Sequence, residues 1–290
     1  MYMQRLFVPP IQPWERSWLW VEGENRWVLL YLIVLHLLTF AGLIFYTWPG
    51  WPIFLSTFFL CCVFSLGTTL GYHRCLAHRA VQLHPKIKQF LIFCAMFNGS
   101  GSPTTWVGNH RNHHANEDKL EDVSSPRFGG FWWAHLRWLY QWEPSSIQKW
   151  APDMMKPEYA KWASRQIPLV FTSLVFGYFL AGLPGMLWLG AIRMAWCLHG
   201  QCFVNSLMHL KPGLPMGVDS SRNIWWIGPF LTMAWGENWH RNHHALRWCA
   251  KFSRVWWQID IAWYIICLLE WRGLAWDVRR PPAKLELLAE

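Results

Sequence analysis

Residues 27–46 read WVLLYLIVLHLLTFAGLIFY and residues 53–72 read IFLSTFFLCCVFSLGTTLGY. Neither run contains Asp, Glu, Lys or Arg, and about 20 apolar residues in a helix are what a ~30 Å hydrocarbon core requires. The six residues between them, TWPGWP (47–52), are too short and turn-rich for anything but a tight reversal. The pattern therefore predicts a helical hairpin across a membrane. A second pair, 167–181 and 186–207, is joined by GLPG (182–185) and predicts another. The expected fold is an all-α integral membrane protein with four transmembrane helices in two hairpins, leaving 73–166 and 208–290 to form a helical cap within one domain, 1–290.

Charge sets the orientation. Of 26 Lys and Arg, the two short turns hold none, the N-terminal segment three, 72–166 twelve and the part after the fourth span ten; Arg193 lies inside the fourth span. Basic residues concentrate on the cytoplasmic side, so both termini and the cap are expected there. The net charge of +9 then follows from topology, and with no basic-aromatic motif in the chain nucleic acid is not an expected partner. Composition agrees: 25 tryptophans in 290 residues suit a membrane interface, while a mean hydropathy of +0.09 is too low for a chain wholly in lipid. Eight cysteines without a CxxC pair read as small buried hydrophobes. The N-terminus lacks the pattern of a cleaved signal peptide. Two shorter apolar runs, 87–97 and 260–269, are expected to lie at the interface.

Nine of thirteen histidines fall into four clusters: His73 and His78 in HRCLAH, His110, His113 and His114 in HRNHH, His209 in NSLMH, and His240, His243 and His244 in a second HRNHH. The expected topology brings all four to one membrane face. On a helix, HxxHH projects three imidazoles from one side. Its first and third rings, one turn apart, can share a metal while the middle one leans to a neighbour. Nine imidazoles are too many for one ion and suit two. Imidazole alone does not choose among Fe, Zn, Cu and Ni, but an all-nitrogen set with nine members points to a dinuclear redox centre. Metal-bound histidines need orienting acceptors. Asp118, four after His114, and Glu237, three before His240, have helical spacing for this, with Asp122, Glu117 and Glu121 nearby. Asn205, four before His209, is a further candidate for the metal shell. The isolated His36, His84, His135 and His199 read as structural.

HRCLAH, WVGNHRNHH, NSLMH and GENWHRNHHA closely resemble the histidine boxes of membrane fatty acyl desaturases, above all the Δ9-type acyl-CoA and acyl-lipid (stearoyl-CoA desaturase-like) group. The resemblance runs from about residue 52 to 278. It implies a mushroom-shaped helical protein whose cytosolic cap holds two irons. It assigns His73, His78, His110, His114 and His244 to one iron, and His113, His209, His240 and His243 to the other, with Asn205 acting through a water. It also implies removal of two vicinal hydrogens from a saturated acyl chain, held as CoA thioester or lipid ester, using O2 and electrons from a separate ferredoxin or cytochrome b5-like donor. Thr57, Cys61 and Trp106 are candidates for lining the acyl tunnel. Where many relatives carry Asp-Pro-His after the second box, this chain has Asp122-Val123-Ser124. Two other classes compete: a histidine-box hydroxylase or oxygenase, and a membrane metal carrier. The box spacing favours desaturation, and the clustering at one face rather than at mid-membrane disfavours transport.

Overall fold

The computed structural model describes residues 11–211, 213–215, 218–228 and 235–282; the remainder of the expected 1–290 domain lies outside the described residues. Among the described residues, three helical stretches are long and apolar enough to cross a membrane: Gly23–Phe45, Trp51–Ala77 and Pro157–Ser206. Within the first, α1 spans Arg26–Phe45. Its outward side chains, among them Ile33, Leu37, Phe40 and Ile44, are exposed, which only a lipid surround makes favourable. After a glycine turn at Gly50 (φ 87°), α2 spans Trp51–Leu66. Phe54, Leu55, Phe58 and Phe59 continue the exposed apolar belt.

The second helix does not end at residue 72. It runs on as a π-helix, Gly67–Ala77, every residue of which is buried, so His73 lies inside the helix rather than just after it. The wider turn has a purpose. Residues five apart in an α-helix project about 140° from each other, whereas a π-turn closes an i→i+5 bond. His78 N–H donates to His73 O at 3.0 Å, and the two rings come within 5.0 Å. Helix α3, Pro85–Phe97, packs against this segment. Gly67 makes the approach feasible, since a Cβ there would stand 2.4 Å from the Ala95 nitrogen. Leu91, Ile92 and Cys94 to Phe97 are consequently buried while Phe90 stays exposed, so 87–97 keeps one face against the protein and one outward. Helix α4, Pro103–Ala115, starts with Ser102 accepting from Thr105 N–H, and carries the second box. Helix α5, Pro126–Trp132, runs into π-helical Trp133–Arg137.

Helix α6, Gln166–Gly185, contains a break at Ala181 and Gly182 (φ 62°). Beyond it, π-helical Met186–Ile192 leads into α7, Arg193–Ser206. The two arms lie against each other: a Cβ on Gly190 would meet Leu174, and one on Gly177 would meet the Gly185 carbonyl. Arg193, fully buried, donates to the Leu189 and Phe97 carbonyls, to Asn98 Oδ1 and to Ser173 Oγ, which ties α7 to α3 and α6. The third long helical stretch is thus folded back on itself.

The C-terminal part supplies α8, His240–Ala245, and α9, Ile261–Trp271. On α9, Ala262 and Ile266 are buried while Tyr264, Leu268 and Trp271 are exposed, the two-sided pattern the sequence predicts. Strand β1 (Gln82–Leu83) pairs antiparallel with β2 (Ala275–Trp276) and fastens this part to the segment after the first box. All eight cysteines are free, six of them buried.

Candidate metal centre

Nine histidines from α2's π-helical extension, α4, α8 and the segment after α7 converge. Their ligand atoms form two groups, each within 4.8 Å: His73, His78, His110, His114 and His243 in the first, His113, His209, His240 and His244 in the second. Nε2 atoms face one another at 2.8 Å for His78 and His110, 3.0 Å for His73 and His243, 3.1 Å for His243 and His114, and 2.9 Å for His209 and His240.

One detail corrects the expectation drawn from resemblance. His243 falls in the first group and His244 in the second, the reverse of that assignment. The cause is helical geometry. Residues 240 and 244 lie one turn apart on α8 and share a direction, while 243 and 244, being consecutive, diverge by about 100°. On α4 the same rule sends His110 and His114 one way and His113 the other.

The opposite edges of the rings show which nitrogens are bare. His73 Nδ1 meets Glu237 Oε2 at 2.8 Å, His113 Nδ1 meets Asp122 at 2.9 Å, and His244 Nδ1 meets Glu117 Oε1. The acidic oxygens of Glu237 and Asp122 accept from the Nδ1–H groups of His73 and His113, which turns Nε2 of each ring toward the common volume. His113 Nε2 and His244 Nε2 are buried with no hydrogen-bond partner. Buried lone pairs aimed into a common small volume lack a donor and fit a cation. Burial, reinforced by neighbouring imidazoles, holds His78, His110, His114, His240, His243 and His244 well below the ordinary histidine range, and His209 at about 4. They stand neutral, the form that ligates metals. At His113 burial also pulls downward, but the Asp122 charge outweighs it and the net shift is upward.

The carboxylates differ from their expected places. Asp118 touches no histidine among the described residues: α4 ends at Ala115, and Asp118 turns away (φ 55°) to accept from Ser125 Oγ and Ser220 N–H, each at 2.7 Å. Helical spacing had no helix to act on there. Glu237 faces His73 and Thr69 rather than His240, because α8 begins only at His240 and residue 237 precedes it. Asp122 is fixed by the backbone N–H groups of Asp118 and Ser124. Burial, with Asp219 beside it, pushes Glu117 up to about 10. Asn205 is half-buried near the end of α7, one turn before His209. Trp106 stacks on His110 at 4.8 Å and 20°, with Tyr72 beside it at 5.7 Å. Thr57 and Cys61 are buried in α2, their side chains turned to the Ile53 and Arg193 carbonyls.

Nine histidine ligand atoms in two adjoining groups, set beside long apolar helices, now stand beside the comparisons with known proteins. The fatty acid desaturase profile matches residues 49–266. The chain belongs to the fatty acid desaturase family. It is 35% identical to "Delta-9 acyl-lipid desaturase 1" of Arabidopsis thaliana over 276 residues, 92% of this chain and 87% of that one. It is 34% identical to "Acyl-CoA 5-desaturase AL21" of Anemone leveillei over 94% of this chain and 86% of the relative. To the "sn-2 palmitoyl-lipid 9-desaturase" of Nostoc sp. it is 32% identical, over 89% and 92%.

Sequence reading passed over a clamp behind this desaturase's centre. Arg74, inside the first box, is fully buried and pairs with buried Asp260 at 2.9 and 3.2 Å while donating to the Ala250 and Trp235 carbonyls. Asp260 also accepts from Phe252 N–H at 2.8 Å. The Arg74 guanidinium lies 3.9 Å from the Phe252 ring centre, and that ring packs on His243 and His73. The available signal was a charge in an otherwise apolar helix, which demands a buried partner. The structural histidines are apart: His36, His199 and His135 form a separate hydrogen-bonded string that uses both nitrogens of His199, and His84 caps α3.

Proposed function

We propose that this chain is a four-span membrane enzyme that uses two irons and O2 to place a double bond, at Δ9, in a saturated fatty acyl chain carried as a CoA thioester or lipid ester. The observation that carries this reading is the pair of histidine groups, with the acidic side chains of Glu237, Asp122 and Glu117 fixing the outward ring nitrogens. His73, His78, His110, His114 and His243 would hold one iron, and His113, His209, His240 and His244 the other, with Asn205 assisting through a water. Bound there, the irons would supply the oxidising power that removes two vicinal hydrogens while O2, two electrons and two protons become two waters. The protein's part is positional. Glu237, Asp122 and Glu117 lock ring orientation, and burial keeps His78, His110, His114, His209, His240, His243 and His244 neutral. Trp106 and Tyr72 form an aromatic wall against the first group, beside which the acyl chain would lie, with Thr57 and Cys61 deeper in α2. The Δ9 position and acyl-lipid carriage follow the Arabidopsis and Nostoc relatives, and CoA carriage the Anemone one. The break in α6 supports two hairpins, and the distribution of Lys and Arg supports a cytoplasmic cap with both termini on that side.

The test is expression in a host lacking its own desaturase, supplied with an electron donor, with double-bond positions mapped by mass spectrometry. A new mono-unsaturated acid, absent with His113→Ala, is expected. A hydroxylated product would move the chain to the oxygenase class, and purified protein without iron would refute the dinuclear reading.

A further inference from the structure

A surface pocket of about 410 Å³ is lined by Ala77, His78, Arg79, Arg111 and Arg279. Its wall includes His78, whose Nε2 faces the first histidine group, so the pocket touches the candidate metal centre directly. The charge around it is one-sided. Asp153 is held by both Arg111 (2.6 and 3.1 Å) and Arg79 (2.8 Å). Arg111 spends its remaining donors on the Leu76, Ala77 and Trp150 carbonyls. Arg279 is pinned only by its backbone, to Ala80 and Ala250, and its exposed side chain forms no ion pair among the described residues. Arg247, which donates to the His114 carbonyl at 2.9 Å, is exposed as well. Arg79 keeps a left-handed backbone (φ 51°), uncommon for a residue with a side chain and a conformation that recurs at functional positions.

We infer that this pocket is the seat of an acidic one-electron carrier protein, and that electrons enter the metal centre across the His78 edge. The inference rests on the desaturase reading and adds a place to it. Each docking would oxidise the carrier by one electron, delivered to the irons that these histidines would hold. Two dockings, two protons and one O2 then balance the two hydrogens removed and the two waters formed. A phosphorylated substrate head group is the other anion such arginines would suit. That group, however, is carried half an acyl chain away from the reacting carbons, whereas this pocket is walled by a histidine of the centre itself. A steered protein partner fits the excess of exposed positive charge better.

The experiment uses the full-length, iron-loaded protein in lipid nanodiscs. A [2Fe–2S] ferredoxin and a soluble cytochrome b5, both acidic, are each tried as reduced carrier, and the faster is kept. Arg79→Glu/Arg279→Glu and Arg279→Glu alone are compared with the parent. Carrier Kd on the nanodiscs, read by surface plasmon resonance, is expected to rise at least tenfold in the double variant at low salt, with carrier kcat/KM falling in step, less in the single one, and the gap closing as salt rises. Turnover driven by photoreduced 5-deazariboflavin should be unchanged in both variants. Unchanged carrier kinetics would overturn the inference. So would a raised KM for acyl-CoA with carrier kinetics intact, which would assign the pocket to substrate phosphates. If neither carrier reduces the parent while the flavin does, the inference also fails. Absence of unsaturated product even with the flavin is a separate result, and it would sink the desaturase reading beneath the inference.

Discussion

Replacing Asp260 with alanine should disturb stability and metal content together. Asp260 is wholly buried and supplies the only carboxylate that the buried Arg74 meets among the described residues. Its removal leaves a guanidinium without a counter-charge, with neighbours unable to move into water. Breaking one side of a buried pair costs about 3–5 kcal/mol. The Phe252 and Trp263 N–H groups lose an acceptor in the same step. At roughly 2–4 °C per kcal/mol for a chain of this class, the melting temperature in detergent should fall by about 10 °C. Phe252, cut loose, no longer braces His243 and His73, so iron per protein should fall mainly from the first group. Intrinsic tryptophan fluorescence during heating and plasma mass spectrometry read the two effects. A double change, Arg74→Met with Asp260→Leu, should recover part of the stability, since apolar replacement of a buried pair is often tolerated. A single-variant loss below about 1 kcal/mol, or a double variant no better than the single, would refute this account of the clamp.

Glu237→Gln and Asp122→Asn should each weaken metal binding by about 10–100-fold with little change in helix content; chelator titration checks it, and equal affinity would count against the orienting role. Gly67→Val should destabilise by about 1–3 kcal/mol because the new side chain meets α3 backbone, and a melting point equal to the parent's would contradict the packing. Metal-free protein should lose stability as pH falls from about 6.5 towards 4. There the unfolded chain takes up protons that the buried imidazoles refuse, and His209, held at about 4, contributes about 3 kcal/mol across that window. A flat melting point over this range would show that the imidazoles are not buried neutral. Finally, His243→Ala and His244→Ala should remove different irons, distinguishable by Mössbauer spectroscopy; identical spectra would rule out the two groups as drawn.

Apolar run length was enough to find the long helices, because hydrophobic span is a local property. It did not reveal that the second one runs on to Ala77 and sets His78 at its cap, since the π-helical turn that seats HRCLAH is chosen by packing against α3 through Gly67. Periodicity located the nine histidines, and their HxxHH spacing already implied that the first and third share a direction. Resemblance to relatives, taken over that geometry, put His243 and His244 in each other's place. The carboxylates were legible as a set but not by partner: Glu237 and Asp118 were paired by helical spacing in segments that are not helical. Arg74 with Asp260, 186 positions apart in sequence, belongs to contacts that no local pattern encodes.

The exchange of single histidines between the two combs has a consequence for how the protein is made. Synthesis releases residues 73 to 114 long before 240 to 244, yet neither group has its full complement until the second comb emerges. A nascent product truncated before the last fifth of the chain can therefore hold neither site complete. Metallation is a closing event that follows insertion of all the long helices, and it acts as an inspection of the whole polypeptide. A cell short of the metal would accumulate inserted but unfinished enzyme, recognisable by the open histidine combs and ready to be completed without new translation.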